Sequence, residues 1–340
     1  MRELERPLIS VCIANYNGES LLADCIESVI GQQGDFEVEI IVHDDASRDG
    51  SLQLLARYPQ VLVIESADNV GFCIANNRMA QAAKGSYLLL LNNDAALMPG
   101  ALAALLDHAR EPGPARVLSL PQYDWETGEL VDYGCLLDPL HVPMPNLCRQ
   151  HEKVAYVIGA CLWMEREDWL RLGGLPEWMG SIGEDLFLCA HARLQGMHVE
   201  VAQGSGYRHR QGASFGGNRA DAAGLRTNYR RRYLSERNRA AVLVTCTPGF
   251  AWLPWALVHA VVLVAEGVAL SLLKRSTKPW REVYGATLVW MWQQRTLLKT
   301  VRKNVQGGRQ IGFRTYVQDA YTWKLRKLGM LLRHGMPELK

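Results

Sequence analysis

The sequence predicts an α/β fold with a mostly parallel sheet flanked by helices, followed by a helical C-terminal region. Three observations support this prediction. Short β-type runs alternate with helical periods through the first hundred residues, the connections between them are a few residues long, and a long apolar run begins near Pro248. The 340 residues are 48% hydrophobic and 21% charged, which excludes disorder, collagen-like repeats and disulfide miniproteins.

The first part of the chain supplies the elements of the sheet. Strands are predicted at residues 8–13, 37–43, 61–64 and 87–91, with helices at 20–30, 51–58 and 74–84. Strands and helices that alternate in this way form right-handed βαβ units, so these strands are expected to lie parallel. Ligands of such sheets bind at the carboxyl ends of the strands.

The pattern loosens after residue 95. A helix at 99–109 and a strand at 117–120 precede a long segment, residues 121–153, whose Pro, Gly and His content suits a loop that binds an acceptor. A strand-like run at 154–164 is followed by helices at 167–172 and 184–194, each ending at glycine. We predict a first domain over residues 1–247 and a helical, basic region over 248–340.

Polar side chains follow three of the predicted strands and should converge at one edge of the sheet. They are Asn15-Tyr16-Asn17, Asp44-Asp45 and Asn92-Asn93-Asp94. The first strand is not followed by G-x-G-x-x-G, and the sequence has no G-x-x-x-x-G-K, so neither a dinucleotide site nor a P-loop is indicated. Asn92 and Asp94 are two residues apart at a strand end, so both side chains can point to one side and offer hard oxygen ligands to a divalent cation.

The last quarter of the chain predicts contact with a membrane. Residues 250–273 are apolar almost all round and would span roughly 36 Å as a helix, against a hydrocarbon core of about 30 Å. Pro254 and Gly267 are expected to interrupt this helix, and His259 and Glu266 share one face, so a helix lying in the interface is at least as consistent as a spanning one. A buried core helix remains an alternative.

The net charge of +2 conceals an asymmetry. Residues 274–340 hold 15 Lys and Arg against three acids, a net charge of +12, which leaves −10 for residues 1–273. Four tryptophans lie among these cations, an arrangement that fits anionic lipid headgroups. They are Trp280, Trp290, Trp292 and Trp323.

The cysteines and the N-terminus indicate a cytoplasmic catalytic part. The eight cysteines are scattered, with no C-x-x-C pair, as expected of reduced thiols. The first ten residues carry charges of both signs and no apolar segment, so no signal peptide is predicted there.

Residues 8 to about 245 resemble a family 2 glycosyltransferase of the GT-A fold, nearest to rhamnosyltransferase-like members that build bacterial cell-surface polysaccharides. The resemblance depends on short motifs in a fixed order. They are Ser10-Val-Cys-Ile-Ala-Asn-Tyr-Asn17, Asp44-Asp-Ala-Ser-Arg-Asp49, Asn69-Val-Gly-Phe72, Asn76-Asn77, Leu91-Asn-Asn-Asp94, Gly159-Ala-Cys161, Gly173-Gly-Leu-Pro176, Glu184-Asp185, His209-Arg-Gln-Gly-Ala-Ser214 and Arg237-Asn238.

The resemblance implies a metal site for Mn²⁺ or Mg²⁺. Asn92 and Asp94 stand where the family has its D-x-D element, with Asp94 as the metal ligand, and His209 stands where a late histidine reaches the metal or the diphosphate. An Asx turn closing the strand is the alternative for Asn92 and Asp94. For His209 the alternative is a surface histidine between two arginines.

The resemblance also implies a donor site near the same strand ends. The donor-binding residues would be Asn15, Tyr16, Asp44, Asp45, Asn69, Gly71, Asn76, Asn92 and Arg237. Tyr16 can stack on the base, and the aspartates can accept hydrogen bonds from base and ribose. Capping of the helix near Ser51 is the alternative for Asp44 and Asp45. For Arg237 it is a solvated or lipid-facing cluster of five arginines.

The catalytic prediction concerns Glu184 and Asp185 at a helix start. They are placed like the family's E-D pair, in which the aspartate is the base, and the helix dipole would keep it ionised. The family continues E-D-x-D, whereas position 187 is Phe here. Gly159, Ala160 and Trp178 would line the acceptor site, with simple packing as the alternative for all three; helix capping is the alternative for Glu184 and Asp185.

The sequence therefore predicts a metal-dependent inverting glycosyltransferase that moves a sugar from a nucleotide-sugar donor, with dTDP-rhamnose or a UDP-sugar favoured, to a lipid-linked saccharide. The expected location is the cytoplasmic face of the plasma membrane, with no nucleic-acid partner and homo-oligomer formation left open. A non-catalytic scaffold of the same fold would be expected to lack Asp94 or Asp185. A sugar nucleotidyltransferase would need a glycine-rich basic segment after the first strand, which is absent.

Overall fold

The computed structural model describes residues 7–149, 153–212, 219–221, 224–318, 320–322 and 338–339. Its strands are β1 Leu8–Asn15, β2 Glu37–Asp44, β3 Val61–Glu65, β4 Tyr87–Asn92, β5 Ala95–Leu97, β6 Arg116–Ser119, β7 Gln122–Asp124, β8 Leu130–Asp132, β9 Cys135–Leu137, β10 Pro143–Pro145, β11 Cys161–Glu165, β12 His198–Val201, β13 Tyr207–His209, β14 Arg219–Asp221, β15 Gly224–Thr227 and β16 Glu338–Leu339.

The α-helices are α1 Glu19–Ile30, α2 Ser51–Leu55, α3 Phe72–Ala82, α4 Ala101–Arg110, α5 Arg166–Leu172, α6 Glu184–Leu194, α7 Tyr229–Cys246, α8 Trp252–Leu273, α9 Gly285–Gln293, α10 Arg295–Gly307 and α11 Phe313–Val317. A single 3-10 turn covers Glu177–Met179, and a π-helical turn covers Trp280–Tyr284.

The central sheet has seven strands in the order β12-β6-β11-β4-β1-β2-β3. Every strand is parallel to β1 except β11, which pairs antiparallel with β4 and β6. Successive residues of β4 alternate between the two faces, so Leu88 and Leu90 enter one core while Leu89 and Leu91 enter the other. The predicted mostly parallel α/β sheet is confirmed, and the carboxyl ends of β1, β2 and β4 lie together.

Several predicted elements differ in extent from those observed. The run at 154–164 contains a strand only at Cys161–Glu165, because the chain turns at Ile158, whose carbonyl accepts a hydrogen bond from Cys161 N. The helix predicted at 51–58 ends at Leu55. All eight cysteines are free thiols and only Cys148 is exposed, as expected of reduced thiols.

The C-terminal helices share a core with the sheet domain. Leu298, Val305 and Tyr316 belong to the same buried cluster as Leu194 of α6 and Ala241 of α7. Hydrogen bonds cross the same junction, since Arg193 donates to the carbonyl of Tyr316 and Gln310 N donates to Leu194 O. The boundary predicted near residue 247 is therefore a change in composition across one continuous core. Trp323 and its basic neighbours up to residue 337 lie outside the described residues.

Helix α8 packs on the protein along one face and exposes the other. His259, Leu263, Gly267 and Leu270 face inward, whereas the opposite face carries exposed apolar side chains. These are Leu253, Leu257, Val258, Val261, Val264, Val268, Leu272 and Leu273. Helix α8 is also the one described helix that is long and apolar enough to cross a membrane, with a mean hydropathy of 2.2.

The interruptions expected in this helix do not occur. Pro254 lies in the first turn, where its missing N–H has no helical partner to lose. Gly267 is a point of close contact, since a Cβ there would lie 2.7 Å from the Tyr284 Cβ and 2.8 Å from the Trp280 Cε3. Glu266 reaches Arg232 of α7 at 3.4 Å. His259 and Glu266 thus face protein, which removes the cost expected for them in lipid.

Candidate active site

A cleft of about 1280 Å³ opens at the carboxyl edge of the sheet and extends to α8. Fourteen of the sixteen predicted site residues line it. They are Asn15, Tyr16, Asp45, Asn69, Gly71, Asn92, Asp94, Gly159, Ala160, Trp178, Glu184, Asp185, His209 and Arg237.

 The other two, Asp44 and Asn76, do not line the cleft.

Asp44 and Asn76 support the walls of the cleft from behind. The Asp44 carboxylate accepts hydrogen bonds from Asn15 Nδ2 at 2.9 Å and from the Ser47 backbone N–H at 3.0 Å. Asn76 is buried and donates to the Phe72 carbonyl one helical turn earlier. The structure thus places these two side chains behind the cleft, with polar atoms that bond to the fold.

Asn15 joins two strand ends at the floor of the cleft. Its side chain donates to Asp44 after β2 and accepts a hydrogen bond from Asn93 Nδ2, after β4, at 2.8 Å. Both side chains are buried, so these bonds fix the strand ends relative to each other. Sequence reasoning assigned Asn93 no role, and its position between Asn92 and Asp94 was the available signal.

The Asp45 carboxylate organises the loop before α3. Its two oxygens accept hydrogen bonds from Val70 N at 2.7 Å and Gly71 N at 2.9 Å. The start of α2 is held instead by Asp49, which accepts from the Ser51 backbone N–H and hydroxyl, so capping by Asp44 or Asp45 is excluded. Tyr16 is 49% exposed beside this loop, which leaves its ring free to stack on a planar ligand.

Asp94 and His209 form a buried pair in the cleft. His209 Nε2 lies 3.1 Å from Asp94 Oδ1, and His209 Nδ1 lies 3.4 Å from Gln122 Oε1. Strand β13 brings the histidine there by pairing with β5, directly after Asp94. His209 is therefore not the surface histidine of the alternative reading. One carboxylate oxygen and one imidazole nitrogen are a donor set that suits Mn²⁺ or Mg²⁺ completed by ligand oxygens and water.

Among the residues that the structure describes, no group of three or more His, Cys, Asp or Glu could hold a metal ion. A cation at Asp94 and His209 would therefore need further ligands from a bound substrate or water.

Glu184 and Asp185 lie in the first turn of α6, directly after a loop with a strained backbone. Ile182 has φ +68°, a left-handed conformation that is unfavourable for a β-branched residue. Asn238 of α7 holds this loop by donating to the carbonyls of Ser181 and Ile182 at 3.0 and 2.7 Å. Strain that is held by surrounding contacts is common at functional sites.

Asp185 is fixed by two backbone donors. Its Oδ2 accepts from Gly159 N at 3.1 Å and its Oδ1 accepts from Leu186 N at 2.7 Å. A Cβ at Gly159 would lie 3.6 Å from the Asp185 Cβ, an ordinary contact distance, so the two residues are neighbours in the cleft. Burial nevertheless raises the pKa of Asp185. Desolvation thus opposes the effect of the helix dipole and outweighs that of the hydrogen bonds on this pKa.

Glu184 is the more perturbed of the two acids. Burial, and then the charge of Asp185, raise the pKa of Glu184 from 4.5 to about 8. Its Oε2 is buried without a hydrogen-bond partner, and the nearest compensating charge is that of Arg231 on α7. Two adjacent carboxyls of this kind can share one proton near neutral pH.

We expect Glu184→Gln to stabilise the protein increasingly as the pH rises. A raised folded-state pKa means that the contribution of Glu184 to stability is present below pH 4.5 and is lost on the way to about pH 8. The melting temperature of the variant relative to wild type should therefore rise between these pH values. Thermal unfolding at pH 5, 6.5 and 8 measures this, with exposed Glu126→Gln as the control. A difference that does not change with pH would contradict the pKa.

The departure at position 187 is explained by packing. Phe187 is buried edge-on against Trp178, and Trp178 stacks on Trp290 of α9 with ring centroids 5.9 Å apart. Phe187, at the position of the second carboxylate in E-D-x-D, is thus a buried packing residue. Trp178 lines the cleft and also packs against Phe187 and Trp290. The predicted acceptor role and the packing alternative therefore do not exclude each other.

The five arginines of α7 do not form one solvated surface. Arg232 and Arg239 flank the fully buried Glu236 as ion-pair partners. Arg237 donates to the Met179 carbonyl at 2.7 Å and lies over Trp290, so it braces the loop before α6 while lining the cleft. Arg230 and Arg231, which sequence reasoning gave no separate role, also line the cleft. A helix predicted over residues 229–246 was the one signal that could have assigned these arginines to different faces.

The cleft at the carboxyl edge of this sheet, with its buried acids, defines the class of protein. The fold is the α/β GT-A-like fold of glycosyltransferases. Residues 10–169 match the model of the family described as glycosyl transferase family 2. The match ends before Glu184 and Asp185.

Known proteins support this assignment. The poly(ribitol-phosphate) beta-glucosyltransferase of Bacillus spizizenii is 39% identical over 92 residues, which cover 25% of this chain and 14% of that protein. A structure of GalNAc-T7 with UDP, GalNAc and Mn²⁺ superposes with a TM-score of 0.60 at 17% identity, covering 87% of this chain and 58% of that one. Residues 1–349 of S. aureus TarS superpose with a TM-score of 0.54 at 18% identity, covering 91% and 90%.

The structural likenesses, at these identities, show the fold alone. The first curated relatives are matched over 34%, 36% and 14% of their own length, so the chain spans about a third or less of each.

Proposed function

We propose that this chain is a metal-dependent inverting glycosyltransferase of bacterial cell-surface polysaccharide synthesis, with a nucleotide-sugar donor and a lipid-linked saccharide acceptor. The observation that carries the proposal is that Asp94, His209 and Asp185 line one cleft at the carboxyl edge of the sheet. The names of the relatives, which include a poly(ribitol-phosphate) beta-glucosyltransferase, support the pathway class. A dTDP-linked or UDP-linked sugar is the favoured donor.

The chemistry assigned to the chain is a single displacement. Asp185 accepts the proton of the acceptor hydroxyl, whose oxygen attacks the anomeric carbon of the donor sugar. The new glycosidic C–O bond forms as the bond to the nucleoside diphosphate breaks, and the diphosphate leaves with the electron pair. Gly159 and Leu186 orient the base through their N–H groups. Glu184, with its raised pKa, supplies a neighbouring site for the transferred proton.

The residues of the cleft fit a divalent cation. Asp94 and His209 would hold it, and Asn92 lies beside them in the lining. When bound, such a cation neutralises charge on the departing diphosphate. Asn15 and Asp45 hold the loops on which Tyr16 and Gly71 face the proposed nucleotide.

Nucleotide-sugar hydrolysis tests the proposal without knowledge of the acceptor. Purified full-length protein should slowly release UDP or dTDP from one of a panel of nucleotide sugars when Mn²⁺ is present. Protein that neither binds nor hydrolyses any of them would favour a non-catalytic scaffold.

The membrane location proposed for the chain is the cytoplasmic face of the plasma membrane. It is supported by the exposed apolar face of α8 and by cations at the start of that helix. Lys299, Arg302, Lys303 and Arg309 surround a shallow pocket beside Phe250, which is 85% exposed. Apolar side chains flanked by cations fit the interface of an anionic bilayer, where each basic residue contributes about 1 kcal/mol.

We therefore expect the protein to sediment with vesicles of phosphatidylglycerol and phosphatidylcholine, and to be released only partly by high salt. Leu257→Glu combined with Val261→Glu should weaken binding at least about tenfold, since both side chains are exposed and would carry charge into the apolar layer. Leu170→Glu on α5, which is 49% exposed, is the matched control. Equal sedimentation of all three proteins would contradict this orientation of α8.

A further inference from the structure

Two arginines in the first turn of α7, Arg230 and Arg231, line the cleft and form no salt bridge with the described residues. The acid that interacts with Arg231 is Glu184, whose pKa burial raises to about 8. The next arginines of the helix differ, because Arg232 pairs with Glu236 and Glu266, and Arg239 pairs with Glu236. Two cations that line a cleft, where the acid facing Arg231 has a raised pKa, form a site that suits an anionic ligand group.

Their surroundings separate this site from the proposed donor diphosphate. The donor diphosphate is assigned to Asp94 and His209, whereas the charge of Arg231 acts on Glu184, the neighbour of the proposed base. Burial lowers the pKa of the Arg231 guanidinium, so a bound anion would relieve its desolvation. The acceptor, whose hydroxyl must reach Asp185, is the substrate expected on this side of the cleft.

The wall next to these arginines is apolar and comes from α8. Val262, Ala265, Ala269 and Leu270 line the cleft there, and Arg232 ties the two helices together through Glu266. Val261, Val264 and Val268, the neighbours of these residues on the helix, belong to its exposed apolar face. The lining of the cleft thus continues along α8 onto the apolar surface. A ligand that follows this path needs an anionic group and an apolar chain.

We propose that Arg230 and Arg231 bind the phosphate group that links the acceptor saccharide to its lipid, and that the inner face of α8 binds the adjoining part of the lipid chain. This inference rests on the proposed function, of which it specifies the acceptor site. The saccharide then extends from the phosphate toward Asp185, and the lipid extends along α8 toward the bilayer.

Binding of farnesyl diphosphate, inorganic diphosphate and farnesol to the full chain tests both halves of the site. We expect farnesyl diphosphate to bind more tightly than either of the other two probes in calorimetry at a fixed detergent concentration. Arg230→Gln, Arg231→Gln and their combination should weaken its binding, by at least about tenfold in the double variant. Affinity for UDP or dTDP with Mn²⁺ should not change, and Arg57→Gln, an exposed arginine after α2, is the control.

Two neighbouring substitutions on α8 test the apolar wall as a matched pair. Ala269→Trp fills the cleft beside the arginines and should weaken farnesyl diphosphate, whereas Val268→Trp points outward and should not. Farnesyl diphosphate affinity that is unchanged in the double arginine variant would overturn the proposal. A double variant that loses nucleotide affinity instead would also overturn the proposal, because the arginines would then bind the donor. Nucleotide-sugar hydrolysis without acceptor reports separately on the proposed function.

Discussion

Asp185→Asn is expected to lower kcat by about 10²–10⁴ while leaving nucleotide affinity near that of wild type, because it removes a positioned general base and no predicted donor contact. The amide can still accept one of the two hydrogen bonds from Gly159 N and Leu186 N. Removing a buried carboxylate with a raised pKa offsets the loss of the other bond. The fold should therefore be preserved.

Single-turnover transfer or nucleotide-sugar hydrolysis across a range of pH measures the effect. Wild type should lose activity on acidification with an apparent pKa above that of an ordinary aspartate, since burial raises the pKa of Asp185. The variant should react slowly at every pH and should not show this fall in activity on acidification. Exposed Asp107→Asn on α4 is the control and should behave as wild type. A variant with the wild-type rate would show that another group takes the proton.

The sheet and much of the cleft could be predicted from the sequence because both depend on local patterns. Alternation in residues such as 87–91 identifies a strand, and the polar residues after it must lie at its carboxyl end. Asn92 and Asp94 were predicted in this way, whereas Asp185 was predicted from its position at a helix start and from the family resemblance. The direction of a side chain at a strand end is a tertiary property, which is why Asp44 and Asn76 were placed in the site although their polar atoms bond to the fold.

The C-terminal region was harder to predict because its contacts are long-range. Arg230 to Arg239 form one basic run in the sequence, yet the helix turns them to Glu236, to Met179 and to the open cleft. Phe187 packs against Trp178, which stacks in turn on Trp290, about a hundred residues along the chain. The raised pKa of Asp185 likewise depends on burial, which no local pattern shows.

Replacing Asp94 is expected to abolish the dependence of donor binding on metal. Asp94 is the carboxylate of the cleft that bonds to His209, so its loss removes the charge that a cation needs and half of the proposed protein ligand set. Asp94→Ala also leaves buried His209 without this partner, a change that costs about 1–3 kcal/mol of stability. Asp94→Asn keeps the volume and a hydrogen-bond acceptor, and it therefore separates the loss of charge from a loss of folding.

Calorimetric titration of UDP or dTDP, with and without Mn²⁺, measures the effect. Wild type should bind the nucleotide more tightly when Mn²⁺ is present, and in both variants the two affinities should become equal. His209→Asn should weaken the metal effect without removing it, because the carboxylate remains. Exposed Asp68→Ala is the matched control and should retain the full metal effect. An undiminished metal effect in Asp94→Asn, with the protein folded, would place the cation on other ligands.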